Sequence, residues 1–504
     1  MKPITRLLGC AAIALAMPGA VFAGKADDTV NVAFTRELDN ADTYFSSARE
    51  STVFGYSVFD PLVERDPKTG EWVGNLAESF TWVDDLTLEF VLRQGVKFHN
   101  GDDFTADDVV YTYSHFSDPA TGVAMPNTVA WIAGVEKLDP YKVRVKLKAP
   151  FPAALDYVES ALPIYPAAYY QKVGSAGFAQ KPVGTGPYAV GSIDPGRGFT
   201  LKAFDGYHAG SSKSKASIGT VVVRSIPDVN TQIAELFSGS LDFMWNVPED
   251  QAQKIKAKGG YTVTSAPTVR FGYISMDVSG RTGFEPFKDQ RVREAVYHAI
   301  DRAAIRDAFF APEAVLTNSV CNPMQFGCDQ NVKTYDYDPE KSKALLKEAG
   351  YEKGFEVPFF AYRDRQSAEA MIQMLAEVGI TANMNYLKYA ALAEKVLKSE
   401  VPMSFMTWGS GSILDVSAST SKFFDGTAID DVRNPDLTAL LKTGDTTTDP
   451  AKRKEAYSKA LNIIADGAYW VPLWAYTANY VMSPDLDFAP TPDEYVRFFE
   501  MNWK

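Results

Sequence analysis

Residues 357–386 constrain the fold more than any other stretch of the chain. An apolar run at 357–362 (VPFFAY) leads into a helical segment at 365–378, a stop at Gly379 and a second extended run at 380–386 (ITANMNY). Two strands joined through such a helix lie parallel, with a right-handed crossover. A parallel sheet is covered by helices on both faces, so the stretch predicts an α/β fold. Such sheets carry ligands outside the carboxyl ends of their strands, where Tyr362, Arg363, Asp364 and Arg365 stand here. Arg363 or Arg365 could grip a carboxylate or phosphate with both prongs of a guanidinium. They could equally serve in salt bridges or at a solvated helix start.

The rest of the chain is punctuated in the same way. Thr29-Val30-Asn31-Val32-Ala33-Phe34 alternates as a strand does, and residues 86–92 and 143–147 alternate likewise. Thr105 can cap a helix starting at Ala106, with Asp108 at the third helical position. Pro182 to Tyr188 (PVGTGPY) is a turn cluster and not a phosphate loop, since no Lys-Ser/Thr follows its glycines. Further helices are predicted at 228–237, at 291–309 as one long amphipathic helix, and from Asp338-Pro339 to a stop at Gly350. Strands are predicted at 269–276 and 403–408, and the aromatic stretch 469–481 is extended.

The first residues hold Lys2, Arg6, an apolar run at 7–17 and Val21-Phe22-Ala23, the layout of an export signal cleaved after Ala23. That run is too short to span a bilayer. The net charge is −13, and losing Lys2 and Arg6 makes the exported chain −15. Nucleic acid and anionic lipid surfaces are therefore poor partners. Cys10 leaves with the signal; Cys321 and Cys328 remain, and in an exported protein a close pair is most simply a disulfide, with a metal pair or free thiols as alternatives.

Four motifs follow one another in a fixed order. They are Gly95-Val96-Lys97-Phe98-His99-Asn100-Gly101 with Phe104-Thr105-Ala106-Asp107-Asp108-Val109, and Gly184-Thr185-Gly186-Pro187-Tyr188. Then come Pro286-Phe287-Lys288-Asp289-Gln290-Arg291-Val292-Arg293-Glu294-Ala295 and Asp338-Pro339-Glu340-Lys341. Together they resemble the bacterial extracellular solute-binding proteins of family 5, the peptide- and nickel-type receptors of ABC importers. The resemblance implies a two-lobed periplasmic binding protein fold (type II, large peptide-binding cluster) with an extra α+β subdomain in lobe one. Lobe one would comprise residues 24–58, 185–274 and 475–504, the subdomain 59–184, and lobe two 275–474, with connecting strands near 273–277 and 472–476. It also implies a periplasmic monomer that closes on a small solute and delivers it to an inner-membrane permease, without a cofactor.

By that resemblance Trp408 and Asp415 stand where peptide-binding members anchor the ligand's α-amino group; Asp415 could also be a helix cap or a surface acid. Arg270 and Tyr273 border the connecting strand and could face the cleft; Trp245, Trp474 and Tyr476 are candidate aromatic walls, and Gln325 is displayed on the Cys321–Cys328 loop. The expected cargo is a small amphipathic solute, peptide or amino-acid-derived, with an opine or sugar-phosphate conjugate as the alternative. A metal complex ranks third, because only His99, His115, His208 and His298 are present. A secreted hydrolase stays open, although no G-x-S-x-G elbow or H-E-x-x-H helix occurs.

Overall fold

The computed structural model describes residues 24–66, 69–211 and 213–504; the expected export signal, residues 1–23, lies outside them. The predicted crossover forms as expected. Phe355–Ala361 pairs in parallel with Ile380–Tyr386, and the helix Arg365–Glu377 connects them. Phe355–Ala361 also pairs in parallel with Met403–Trp408, which runs antiparallel to the long strand Thr262–Met276. A second long strand, Val471–Met482, lies antiparallel to Thr262–Met276 over most of its length. It then hands the sheet to Phe243–Trp245, Thr29–Phe34, Thr220–Ser225, Gly198–Ala203 and Tyr188–Asp194. One sheet thus threads both lobes, carried across by two strands.

The pleat explains how lobe two is buried on both sides. Phe271 and Tyr273 point into a core with Val416, Tyr457 and Trp470. Ile274 and Met276, offset by one residue, point into another with Phe359, Leu375 and Trp474. The register between the two long strands breaks between Pro267 and Tyr273. The backbone ladder is interrupted there, and Thr268 Oγ1 bridges the strands by donating to Tyr476 O at 2.9 Å.

The subdomain is a four-stranded antiparallel sheet ordered Ala77–Asp84, Thr87–Leu92, Lys142–Leu147 and Ile132–Asp139. The helix Ala106–Ser117 packs on it, and its capping box is complete: Thr105 and Asp108 bond each other's backbone amides. The Gly-Thr-Gly turn has a packing reason. A Cβ on Gly184 would lie 2.0 Å from the Val58 carbonyl oxygen, and one on Gly186 2.6 Å from that of Ser57. His99 belongs to the same joint, its backbone amide donating to Gly184 O at 2.8 Å and its ring lying 2.9 Å from Gly186 O. Buried Lys213 ties the subdomain to lobe one, 3.0 Å from Asp60 and 3.4 Å from Glu64.

One helix departs from expectation. The stretch read as a single helix over 291–309 is two, Gln290–Ala299 and Arg302–Phe309. Asp301 accepts from Ala304 N at 2.9 Å and so caps a new helix inside an uninterrupted amphipathic pattern. Cys321 and Cys328 are disulfide-bonded.

Candidate functional site

The carboxyl end of Phe355–Ala361 delivers Tyr362, Arg363 and Asp364 to the place where they meet Tyr476 and Thr407. Arg363 donates from Nε to Asp364 at 2.9 Å and lies over the Tyr476 ring, 4.8 Å from its centroid. The Tyr476 hydroxyl donates to the same Asp364 carboxylate at 2.7 Å. A carboxylate and an aromatic face thus hold one edge of the guanidinium, while the side chain keeps 34% of its surface exposed. Burial opposes the Arg363 charge, but Asp364 more than restores it, so the group stays firmly cationic.

A second guanidinium comes from the register break. Arg270 donates to Glu494 from Nε at 3.2 Å and from Nη2 at 3.0 Å, and to Thr407 Oγ1 at 3.3 Å. A third comes from lobe one, where Arg49 Nη2 lies 3.2 Å from the same Glu494 carboxylate. Burial alone would raise the Glu494 carboxyl; Arg270 and then Arg49 hold it below the usual carboxylate range. Arg49 also donates to Ser412 Oγ at 2.6 Å, and Ser412 donates to Asp493 O at 2.7 Å, so lobe two's Gly/Ser-rich segment is bonded to lobe one. Gly409 makes room for this convergence: a Cβ there would lie 3.1 Å from Arg270 Nη2 and 3.2 Å from Arg49 Nη2.

Backbone strain gathers at the same place. Among the described residues nine non-glycines have a left-handed backbone, and Asp364, Ser410, Ser412 and Glu494 are four of them, with φ of 47°, 46°, 67° and 64°. Each costs of the order of 1 kcal/mol or more, and such costs persist where the surroundings hold a functional geometry.

Of the residues singled out in the sequence, Arg270, Arg363 and Tyr476 meet here. The others sit elsewhere. Asp415 is buried and paired with Arg453 at 2.9 Å, and it caps a short 3-10 turn through Ser417 N at 3.0 Å. Its charge is therefore compensated by a guanidinium within the chain. Gln325 is fully engaged: its Nε2 donates to Ile413 O and Asp415 O, both at 3.1 Å, and its Oε1 accepts from Asn322 N at 3.0 Å and Ser419 Oγ at 2.9 Å. Trp474 is wholly buried against Phe310 and Phe405, and Tyr273 stacks on Trp470 with centroids 4.3 Å apart. Trp245 packs on Phe34 in lobe one. Trp408 donates to Ala418 O at 2.7 Å and lies under Lys422. Arg365 pairs with Glu369 on an exposed helix face.

Asp415 and Gln325 do border open space. A cavity of about 790 Å³ separates Arg65, Trp72 and Asp156 of the subdomain from Phe326, Asp415 and Arg453 of lobe two. Among its charged residues Arg65 pairs with Asp156 at 2.8 Å, Arg453 with Asp415 and Glu455 with Lys459, and Asp329 and Lys454 also line it. The arginine cluster is different, because three guanidinium groups face two carboxylates. Arg49, Glu494 and Thr407 went unmarked in the sequence. Arg49 meets the 491–495 loop across 444 residues, a distance no local pattern signals. Asp364, beside Arg363 at the strand end, was within reach of the same argument that marked Arg363.

A family model described as bacterial extracellular solute-binding proteins, family 5 Middle, matches residues 71–431. Glutathione-binding protein GsiB of Escherichia coli (strain K12) is 30% identical over 483 residues, covering 91% of this chain and 90% of that protein. Among solved structures, the periplasmic binding protein DppA from Helicobacter pylori, in complex with peptide STSA, superposes with a TM-score of 0.81 at 23% identity, over 95% of this chain and 99% of that one. AgaA from A. tumefaciens R10, in complex with agropinic acid, gives 0.78 at 26% identity, over 94% and 99%. These relatives are binding proteins with two-lobed folds, and the chain belongs to the bacterial extracellular solute-binding proteins of family 5.

Proposed function

We propose that this chain is a periplasmic, monomeric receptor for a small amino-acid-derived solute bearing a free carboxylate, and that it delivers this cargo to an ABC importer permease. The observation that carries the reading is the half-open guanidinium of Arg363 at the strand end. Its inner edge is fixed by Asp364 and Tyr476, and its outer edge can receive a planar carboxylate. Charge narrows the class. Arg49, Arg270 and Arg363 against Asp364 and Glu494 leave three minus two, one excess positive charge. A solute with one excess negative charge complements that cluster.

Glutathione, bound by the 30%-identical relatives, has two carboxylates and one ammonium and so meets the requirement. An opine-type acid is the second reading, favoured by the likeness to the agropinic acid complex. The paired cluster holds no free carboxylate for an isolated ammonium, which argues against a neutral dipeptide with its amine buried here. Capture would proceed by closure, with 24–274 and 475–504 as lobe one, 275–474 as lobe two, and the register break between Pro267 and Tyr273 as the hinge. The work is binding, without turnover. An N-terminal export signal fits this location.

Calorimetry with reduced glutathione, on wild type and Arg363→Gln, tests the reading. Losing a charge-assisted pair costs about 2 kcal/mol, roughly a 30-fold weakening. Equal affinities in the two proteins would remove Arg363 as the anchor. Failure of wild type to bind glutathione would move the cargo to the opine class, which agropinic acid would then probe directly.

A further inference from the structure

The least expected occupant of the crevice is a carboxylate from the chain itself. Glu494 lies on a loop tied down on every side. Pro492 O accepts from Val269 N at 2.8 Å, the Asp493 carboxylate accepts from Thr491 Oγ1 at 2.6 Å and pairs with Arg497, and Tyr495 lies beneath Arg49. The backbone at Glu494 is left-handed, a conformation that serves to aim its side chain at the arginines. The side chain is only 7% exposed, and its two oxygens accept from Arg270 as a ligand carboxylate would, with Arg49 alongside. The two guanidinium groups converge on one anion, and Gly409 leaves the space for them to do so.

We infer that the Arg49–Arg270 fork is a second carboxylate subsite of the crevice, filled in cis by Glu494, and that this filling restricts the cargo to one excess negative charge. The selectivity part rests on the reading of the cargo given above. With Glu494 in place, Arg363 is the most open of the three guanidinium groups, its side chain 34% exposed against 20% for Arg270 and 18% for Arg49. Without it, the fork offers a further anion site, and a solute with one more carboxylate becomes the better match.

Two measurements test this. The first needs no cargo. Glu494→Gly leaves two guanidinium groups without their carboxylate and opens a space matching propionate. Sodium propionate should then raise the melting temperature of the variant by at least about 3 °C over sodium chloride at equal ionic strength, and leave wild type unmoved. The second uses the same Glu494→Gly variant, in which the fork is open to a ligand carboxylate. Reduced glutathione carries one excess negative charge and γ-glutamylglutamate two. The affinity ratio should swing towards γ-glutamylglutamate by at least about tenfold in the variant. Propionate acting no better than chloride, or an unchanged ratio, overturns the inference. If neither peptide binds wild type, the cargo reading fails, and the propionate result alone decides whether Glu494 fills an anion site.

Discussion

Arg453 reaches Asp415 from 38 residues away in sequence, with both carboxylate oxygens within 3.0 Å of its Nη2. The side chains are 7% and 3% exposed, so neither charge has water to fall back on. Removing one partner of such a pair strands the other and typically costs about 3–5 kcal/mol. Asp415→Asn should therefore lower the midpoint of chemical denaturation markedly while cargo affinity stays unchanged. Lost affinity at unchanged stability would restore Asp415 as a ligand anchor. Asp156 faces the same cavity, and burial pushes its carboxyl up to about 6 despite Arg65. The folded state therefore holds this proton more tightly than the unfolded chain. The contribution is fully present below pH ~4 and is lost as pH rises through ~6. In melts from pH 4.5 to 7, Asp156→Asn should show a shallower decline than wild type; parallel curves would exclude Asp156 as a source. The residue scale is where the sequence says least. Asp415, Gln325 and Trp474 have the chemistry of ligand contacts, and only the fold reveals that Asp415 and Gln325 bond distant partners and that Trp474 is buried.

Elements were far more legible, because their signals are local. The Thr105 capping box, the Asp338-Pro339 helix start, and the strand–helix–strand at 355–386 all rest on residues within one or two turns of each other. The broken helix at Asp301 shows the limit: apolar spacing runs through the break, and a single capping carboxylate outweighs it. The Cys321–Cys328 loop carries Gln325, whose bonds fix the segment leading to Asp415. Closing so short a loop contributes about 2–3 kcal/mol. Adding dithiothreitol should lower the melting temperature by several degrees in wild type and not in a Cys321→Ser/Cys328→Ser variant. Equal melts with and without reductant would show the bond to be energetically idle.

At the scale of the whole molecule, the two long strands are the only sheet connection between the lobes among the described residues, and their ladder is interrupted beside Arg270. The proposed hinge, the proposed anchor Arg363 and the Glu494 loop therefore meet at one point. In the proposed closure, a ligand held there would touch both lobes. The two-lobed fold was legible through the motifs at 95–109, 184–188, 286–295 and 338–341. The arginine cluster was legible only in part, since it is assembled from residues 49, 270, 363 and 494. The most direct test of a solute trapped at that point is native mass spectrometry of the exported protein, wild type beside Arg363→Gln. One adduct, below about 1 kDa and released on denaturation, should accompany wild type and be depleted in the variant. Identical adduct occupancy in the two proteins, or none in either, would contradict the account.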